Sequence, residues 1–412
     1  MKDGAARRTI VSNHCLAPLS RTIVSHHCLA PLSAANHHAH NRAMQKSGPL
    51  KGIRIIEFEG LGPVPFCAML LAGLGADIIR VARANAGLVR TETGDAVVLR
   101  GRPTVTADLK NADDRAQVLE LVAHADALLE GFRPGVMERL GLGPEPCHTA
   151  NPRLVYGRMT GWGQTGPLSA RAGHDINYIS LTGALHAIGK PGEPPSIPLN
   201  LIGDYGGGSM FLATGVLAGL LEAKISGQGQ VVDAAMTDGA ATLMSLFHSM
   251  AHGGDWTDER HANLLDGGAP FYRCYTCADG KHVAVGALEP QFFATLISLT
   301  GIDFAPADQN NRATWPALGE QLEQVFATKS RDEWADIFEQ HDACVSPILS
   351  IAEAPHHRHN KVRFTFFQRG GITQAAPAPR FSRSGEAMPD AEARMMSLGE
   401  AIETWRKEVP LF

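Results

Sequence analysis

The chain of 412 residues is longer than one ordinary core, so two domains are the first expectation. Its composition is that of a globular protein, 44% hydrophobic and 19% charged, and a net charge of only −5 with no basic run interleaved with aromatics argues against a nucleic-acid partner. No apolar run reaches the roughly 18 residues of a membrane span, and seven scattered cysteines, an odd number, read as reduced thiols of a cytoplasmic protein.

Residues 1–47 read as an N-terminal extension without fixed structure. Arg8–Ser20 (RTIVSNHCLAPLS) returns as Arg21–Ser33 with only Asn13 changed, to His26. A 13-residue tandem repeat builds no continuous helical or strand face, which fits a duplicated stretch of DNA. Histidines 14, 26, 27, 37, 38 and 40 gather here with Cys15 and Cys28, but paired metal-ligand spacings are missing. A basic, acid-poor transit segment is a second reading; the favoured one is that translation starts at Met44 and the residues before it are an unstructured extension.

From Gly48 apolar runs of strand length alternate with helical spacing. Ile53–Phe58, Ala76–Val81, Pro103–Ala107, Ala125–Glu130 and Arg153–Met159 read as strands, and Phe66–Leu74 and Asp114–Ala123 as helices. Continuous apolar strands separated by helices predict parallel βαβ units with both sheet faces covered. Ligands of such sheets lie beyond the carboxyl ends of the strands, which singles out Glu59–Gly62, Arg83, Asp108–Lys110, Phe132–Arg133 and Gly161–Gly163. Arg83, Arg133 and the slightly later Arg139 place guanidinium groups near these ends, suited to an anionic, phosphorylated ligand. Gly161, Gly163 and Gly166 have dinucleotide-loop spacing, but Pro167 follows and no acidic strand end lies about 20 residues on, so the loop reads as a close approach to a ligand.

The segment RAGHDINYIS sets His174, Asn177, Tyr178 and Leu181 on one helical face, with His174 at the helix start. A histidine there is a candidate general base. Thirty residues on, Asp204 precedes the glycine triplet Gly206–Gly208 and a long apolar helix, the position of an N-cap. Backbone N–H groups at such a start suit a developing oxyanion. The glycines admit another backbone or a ligand at close range. Glu289, in the strand-like run HVAVGALEP, is a third candidate.

Residues 269–285 alternate in strand fashion around an Asp279–Gly280 turn, and helices are expected over Gln291–Leu299 and Trp315–Phe326. Cys274 and Cys277 form a lone C-x-x-C, too little for zinc, and no metal is expected. From about Ala375 the chain turns Pro- and Ala-rich, as a connecting strap would.

GRMTGWGQTGP, AGHDINYIS, GDYGGGSMF and VGALEPQF together resemble the α-methylacyl-CoA racemase branch of the class III CoA-transferase family, over about Gly48 to Ser384. The resemblance implies an α/β fold: a large doubly wound, Rossmann-like CoA-binding domain (48–234), a linker (235–264), a smaller α+β domain (265–360) and a return strap (361–412) packing on the large domain, in an interlocked homodimer. It implies His174 and Asp204 as paired acid–base groups that invert the carbon next to an acyl-CoA thioester, the histidine addressing the S epimer and the aspartate the R. Glu289 would support the histidine from the second subunit. Arg83, Arg133 and Arg139 would hold the CoA phosphates, with Ala107, Leu109 and Lys110 lining the adenine end. Tyr178 falls in the substrate pocket wall, and Asp175 where the transferase branch carries its nucleophile. No cofactor beyond the substrate's own CoA is implied. The rival reading is a transferase acting through Asp175, against which stands His174, where transferases place an aromatic residue.

Overall fold

The computed structural model describes residues 48–83, 95–385 and 394–407; the tandem repeat and the extension expected over 1–47 lie outside the described residues. Along the first half, β1 (Arg54–Phe58), α1 (Pro63–Gly73), β2 (Asp77–Ala82), α2 (Asp95–Val98), β3 (Thr104–Thr106), α3 (Ala112–Val122), β4 (Ala127–Glu130), α4 (Val136–Arg139), α5 (Pro144–Ala150) and β5 (Val155–Thr160) alternate. Then come α6 (Asp175–Ser180), α7 (Ala184–Ala187), a π-helical segment (Leu201–Ser209) running into α8 (Met210–Ser226), β6 (Val231–Ala235), α9 (Met236–Leu243) and α10 (Ser245–Gly253).

Local chemistry starts these helices. Pro63 and Pro65 open α1, where a missing N–H costs nothing, and the Asn111 side chain caps α3 by accepting the N–H groups of Asp113 (2.7 Å) and Asp114 (3.3 Å). Neighbouring residues of each strand point to opposite faces. Ile56, Ile79, Val81, Leu128 and Tyr156 enter one apolar cluster with α3 and α5, whereas Ile55, Ile78, Leu129 and Val155 enter another with α1 and α8. Two-sided burial is the reason these strands are nearly unbroken apolar runs.

With β12 (Met395–Met396) from near the end of the chain, the strands form one seven-stranded sheet in the order β12-β3-β2-β1-β4-β5-β6, every pairing parallel. Winding proceeds outward from β1 in both directions, so the order reverses between β1 and β4. The doubly wound class expected from the sequence is therefore the one observed. A buried ion pair stiffens its centre: Glu57 of β1 sits 2.7 Å from Arg102 Nε, both side chains out of solvent.

The second half holds a separate core. β7 (Tyr272–Thr276), β8 (His282–Gly286) and, after α11 (Pro290–Thr300), α12 (Trp315–Phe326) and α13 (Arg331–Phe338), β9 (Val345–Pro347) form a three-stranded antiparallel sheet under those helices. Tyr275, Phe293, Phe326 and Trp334 fill the space between. The β7–β8 connection is a five-residue loop closed by Cys277 N–H to Lys281 O (2.8 Å), with Gly280 at φ 74° where the sequence places its turn. After α14 (Arg358–Arg363), the hairpin of β10 (Phe366–Arg369) and β11 (Ile372–Ala375) is tied back by Arg100, which donates to Gln374 Oε1 at 2.6 Å. Finally β12 (Met395–Met396) pairs with β3, and α15 (Leu398–Lys407) packs on α3, its Trp405 Nε1 donating to Asp77 Oδ2 (2.9 Å).

The continuous helix Leu201–Ser226 is 26 residues long with mean hydropathy 1.3, enough by length and composition to cross a membrane. It is spent on the sheet instead: Leu212, Val216 and Gly219 are buried against β5 and β6. Its glycines allow backbone to meet backbone. A Cβ on Gly207 would lie 2.6 Å from Ala240 N, and one on Gly239 of α9 would lie 1.9 Å from Gly207 O. The triplet after Asp204 thus accommodates a neighbouring helix. Gly239→Ala is expected to force α9 off the π-helical segment at a cost of about 1–3 kcal/mol, read as a lower thermal unfolding midpoint, while Gly399→Ala in α15, whose Cβ would meet nothing within 4 Å, leaves the midpoint unlowered.

Candidate active site

Open parallel sheets leave a crevice where the strand order reverses, beyond the carboxyl ends of the two central strands. Here that point lies between β1 and β4, and the chain leaving β1 turns through Gly62 at φ 67° into α1. The π-helical segment packs against α1 and α6 at the same place.

His174 is the N-cap of α6, in extended backbone geometry, with its N–H donated to Asn177 Oδ1 at 3.1 Å. Its side chain is exposed. The next residue, Asp175, is buried at 6% exposure, and its Oδ2 accepts the backbone N–H of Asp204 at 2.7 Å, across 29 residues of chain. Asp204 is half-buried and its Oδ2 accepts a hydrogen bond from Asn200 Nδ2 at 3.3 Å. Burial raises the Asp204 carboxyl above the ordinary aspartate range, and the nearby Asp175 charge raises it further; the Asn200 hydrogen bond and the His174 imidazole act the other way. The imidazole and carboxylate singled out in the sequence are therefore electrostatic neighbours.

Asp204 is not an N-cap. It lies within the π-helical segment, which begins three residues earlier at Leu201. Its N–H belongs to the first turn, where no helix carbonyl stands behind it, and the Asp175 carboxylate takes that N–H. The Asp204 N–H is thus committed to a side chain and is not free to hold an oxyanion. Short π stretches are uncommon and gather at functional sites.

Tyr178, expected in the pocket wall, is buried with its ring against Gly161 and Gly173, its hydroxyl donating to the Gly173 carbonyl. Trp162 meets it edge-on at 4.9 Å between centroids. A Cβ on Gly161 would fall 1.9 Å from the Tyr178 ring, and Gly163 and Gly166 sit at φ 88° and 92°. The absence of a side chain at Gly161 therefore leaves room for an aromatic ring of its own chain. Burial raises the Tyr178 phenol, Asp204 adds to the rise and Arg133 opposes it.

The remaining candidates follow the strand ends. Arg83 follows β2, exposed, with its N–H donated to Glu59 Oε2 (2.8 Å). Past β3, Ala107 and Leu109 are buried and Lys110 is exposed. Arg133 and Arg139 are exposed beyond β4, on either side of Gly135 at φ 79°. Glu289 stands apart, exposed at the N-cap of α11; no hydrogen bond or ion pair among the described residues joins it to His174 or Asp204. Its charge helps raise the Cys344 thiol, after burial. Among the described residues no three His, Cys, Asp or Glu side chains converge as metal ligands, and Cys274 and Cys277 are free thiols. Sequence reasoning missed Asn200 and the contact of Gly62 with Asp204; the one available signal was that Asn200 precedes Asp204 by four residues, a helical spacing.

A Cβ on Gly62 would lie 2.9 Å from Asp204 Oδ2, at a φ that L side chains rarely adopt. Gly62→Ala is expected to cost about 1–3 kcal/mol in backbone strain and to displace the Asp204 carboxylate. Thermal unfolding reads the first effect, and loss of any Asp204-dependent turnover the second.

The sequence profile of CoA-transferase family III matches residues 50–391. The chain is similar to the mouse protein named alpha-methylacyl-CoA racemase, 44% identical over 361 residues, 87% of this chain and 93% of that one. It is equally similar to the human protein of that name, 44% over 319 residues, covering 77% and 82%. The crystal structure of the hypothetical protein Rv3272 from Mycobacterium tuberculosis matches at TM-score 0.72 and 27% identity, over 88% of this chain and all (100%) of that one. With the profile spanning most of its length, this chain belongs to CoA-transferase family III.

Proposed function

We propose that the protein interconverts the R and S epimers of 2-methylacyl-CoA thioesters. The observation that carries this reading is the hydrogen bond from the Asp204 N–H to Asp175 Oδ2 (2.7 Å), which fastens the turn bearing Asp204 to the residue directly after His174. Similarity to two proteins named alpha-methylacyl-CoA racemase supports it. The α-proton of a thioester is weakly acidic, and inversion needs one group to remove it and another to return a proton on the opposite face. His174 takes the proton of one epimer to leave an enolate, and protonated Asp204 delivers a proton to the other face. The reverse reaction exchanges the roles. A carboxyl raised by burial is suited to both tasks, since it holds a proton more readily than an exposed one. The thioester supplies the acidity, so no further cofactor is needed.

Arg83, Arg133, Arg139 and Lys110 lie past the ends of β2, β4 and β3, a row of cations suited to the CoA phosphates, with Ala107 and Leu109 toward the adenine end. We also propose a homodimer. Leu61 and Leu199 (both 70% exposed), Leu181 and Leu201 are large apolar side chains near the site that a partner would cover, and Glu289, apart in its own chain, would then serve a partner's His174. Free thiols at Cys274 and Cys344 fit a cytoplasmic setting.

A transferase acting through Asp175 is the second reading, favoured by the family alone. Against it stands the burial of Asp175 and the engagement of its Oδ2 with the Asp204 N–H. The deciding experiment supplies one pure 2-methylacyl-CoA epimer in D2O without an acceptor acid. Deuterium is expected at the α-carbon; transfer to an added acid with no exchange in its absence points to the transferase. His174→Ala and Asp204→Ala should each lower abstraction from opposite epimers by ~10²–10⁴-fold. Because burial raises Asp204, the direction that uses it as base should lose rate as pH falls through a midpoint above the ordinary aspartate value.

A further inference from the structure

We infer that Asp175 is a positioning residue for Asp204, its carboxylate acting as a cap supplied from another helix that holds the first turn of the π-helical segment at the right distance from His174. The inference rests on the two-base reading above. Three observations carry it. The Asp204 N–H, in a first turn without a helix acceptor, ends on Asp175 Oδ2 at 2.7 Å. Asp175 is buried at 6% exposure, and its other oxygen, Oδ1, is buried without a hydrogen-bond partner, so the carboxylate is held for this contact and not for solvent. Gly203 leaves room for it, since a Cβ there would lie 2.7 Å from Asp175 Oδ2.

The consequence is geometric. His174 and Asp175 are adjacent, so one peptide joins the imidazole to the carboxylate that holds Asp204. Any shift of α6 moves both catalytic groups together, and their separation stays fixed. The preceding chain holds the side chain and not the turn: Asn200 Nδ2 donates to Asp204 Oδ2 at 3.3 Å, while Leu199 sits at φ 58° and Asn200 at φ −103°, outside the helix. The same carboxylate also acts on Asp204 through space. Of the charged groups facing Asp204, Asp175 raises it and His174 lowers it, while Tyr178 of α6 lies close enough for its own phenol to be raised. α1 brings no charged side chain, α9 only the exposed Asp238, β5 Arg158, bound to Glu130 and Glu138, and β6 Asp233, which accepts the Gln164 N–H; the charges of α8, Glu222 and Lys224, are in its last turns.

The test measures α-deuterium uptake from each 2-methylacyl-CoA epimer by the full chain, across pH. Asp175→Ala is expected to lower exchange from the Asp204-dependent epimer about 10²-fold, the scale of a misplacement near 1 Å, with KM nearly unchanged and His174-initiated exchange retained. Asp175→Asn keeps an acceptor oxygen in place and drops the charge. It should restore most of that exchange and move the Asp204 limb to lower pH, because the repulsion that raised Asp204 is gone. Wild-type exchange in both variants with an unmoved limb overturns the inference, as does an equal loss from both epimers. If Asp175→Ala fails to fold, Gly203→Ala, whose Cβ would lie 2.7 Å from Asp175 Oδ2, takes its place: loss confined to the Asp204-dependent epimer supports the inference, and unchanged exchange overturns it. Absence of exchange in the wild type overturns the two-base reading itself, an outcome distinct from the others.

Discussion

Reversal of winding between β1 and β4 is the constraint on which the rest of the molecule depends. Parallel strands need covered crossovers, and a sheet wound outward from its first strand sends the connections after β1 and β4 apart. The chain leaving β1 turns through Gly62 at that gap, and other parts of the chain converge on it: His174 and Asp175 at the start of α6 and Asp204 from the π-helical segment. The buried Glu57–Arg102 pair lies on the same first strand. A buried ion pair adds less to stability than its distance suggests, but losing one partner strands a charge, so the centre of the sheet tolerates little rearrangement.

Helix-to-helix contact through Gly207 and Gly239 explains how a long apolar helix carries a titrating group at one end. α8 buries Leu212, Val216 and Gly219 on the sheet, following α spacing. The segment before it follows π spacing, so the Asp204 side chain need not continue the stripe that α8 buries. With glycine at the crossing, α9 closes on the backbone itself; Asn200, just before the segment, and Gly62 adjoin the Asp204 carboxylate, and Asp175 holds its N–H.

Much of the sheet was legible because β1, β2, β4 and β5 are almost wholly buried and spell apolar runs. β6 was not: of VVDAA only the last two residues are buried, and an edge strand open to solvent leaves no apolar run to read. β12, two residues long, carries no periodicity at all. Glycines were visible but their partners were not, since a gap in side-chain bulk looks the same whether Tyr178, α9 or a ligand occupies it. His174 and Asp204 stood out through their motifs. The bond that joins their segments did not, because a side chain accepting a backbone N–H 29 residues away leaves no pattern in sequence. The π turn likewise has no composition of its own.

Completion of the sheet by β12 has a bearing on biosynthesis. Among the described residues the outer neighbour of β3 is Met395–Met396, and Trp405 supplies an indole donor to Asp77. Until those residues leave the ribosome, the nascent sheet has a bare edge of backbone donors and acceptors beside β3, the kind of surface that pairs with other chains. Closure of that edge therefore waits on the C-terminal residues, and a chain ended ahead of Met395 would lack the strand that covers β3 even with His174 and Asp204 present.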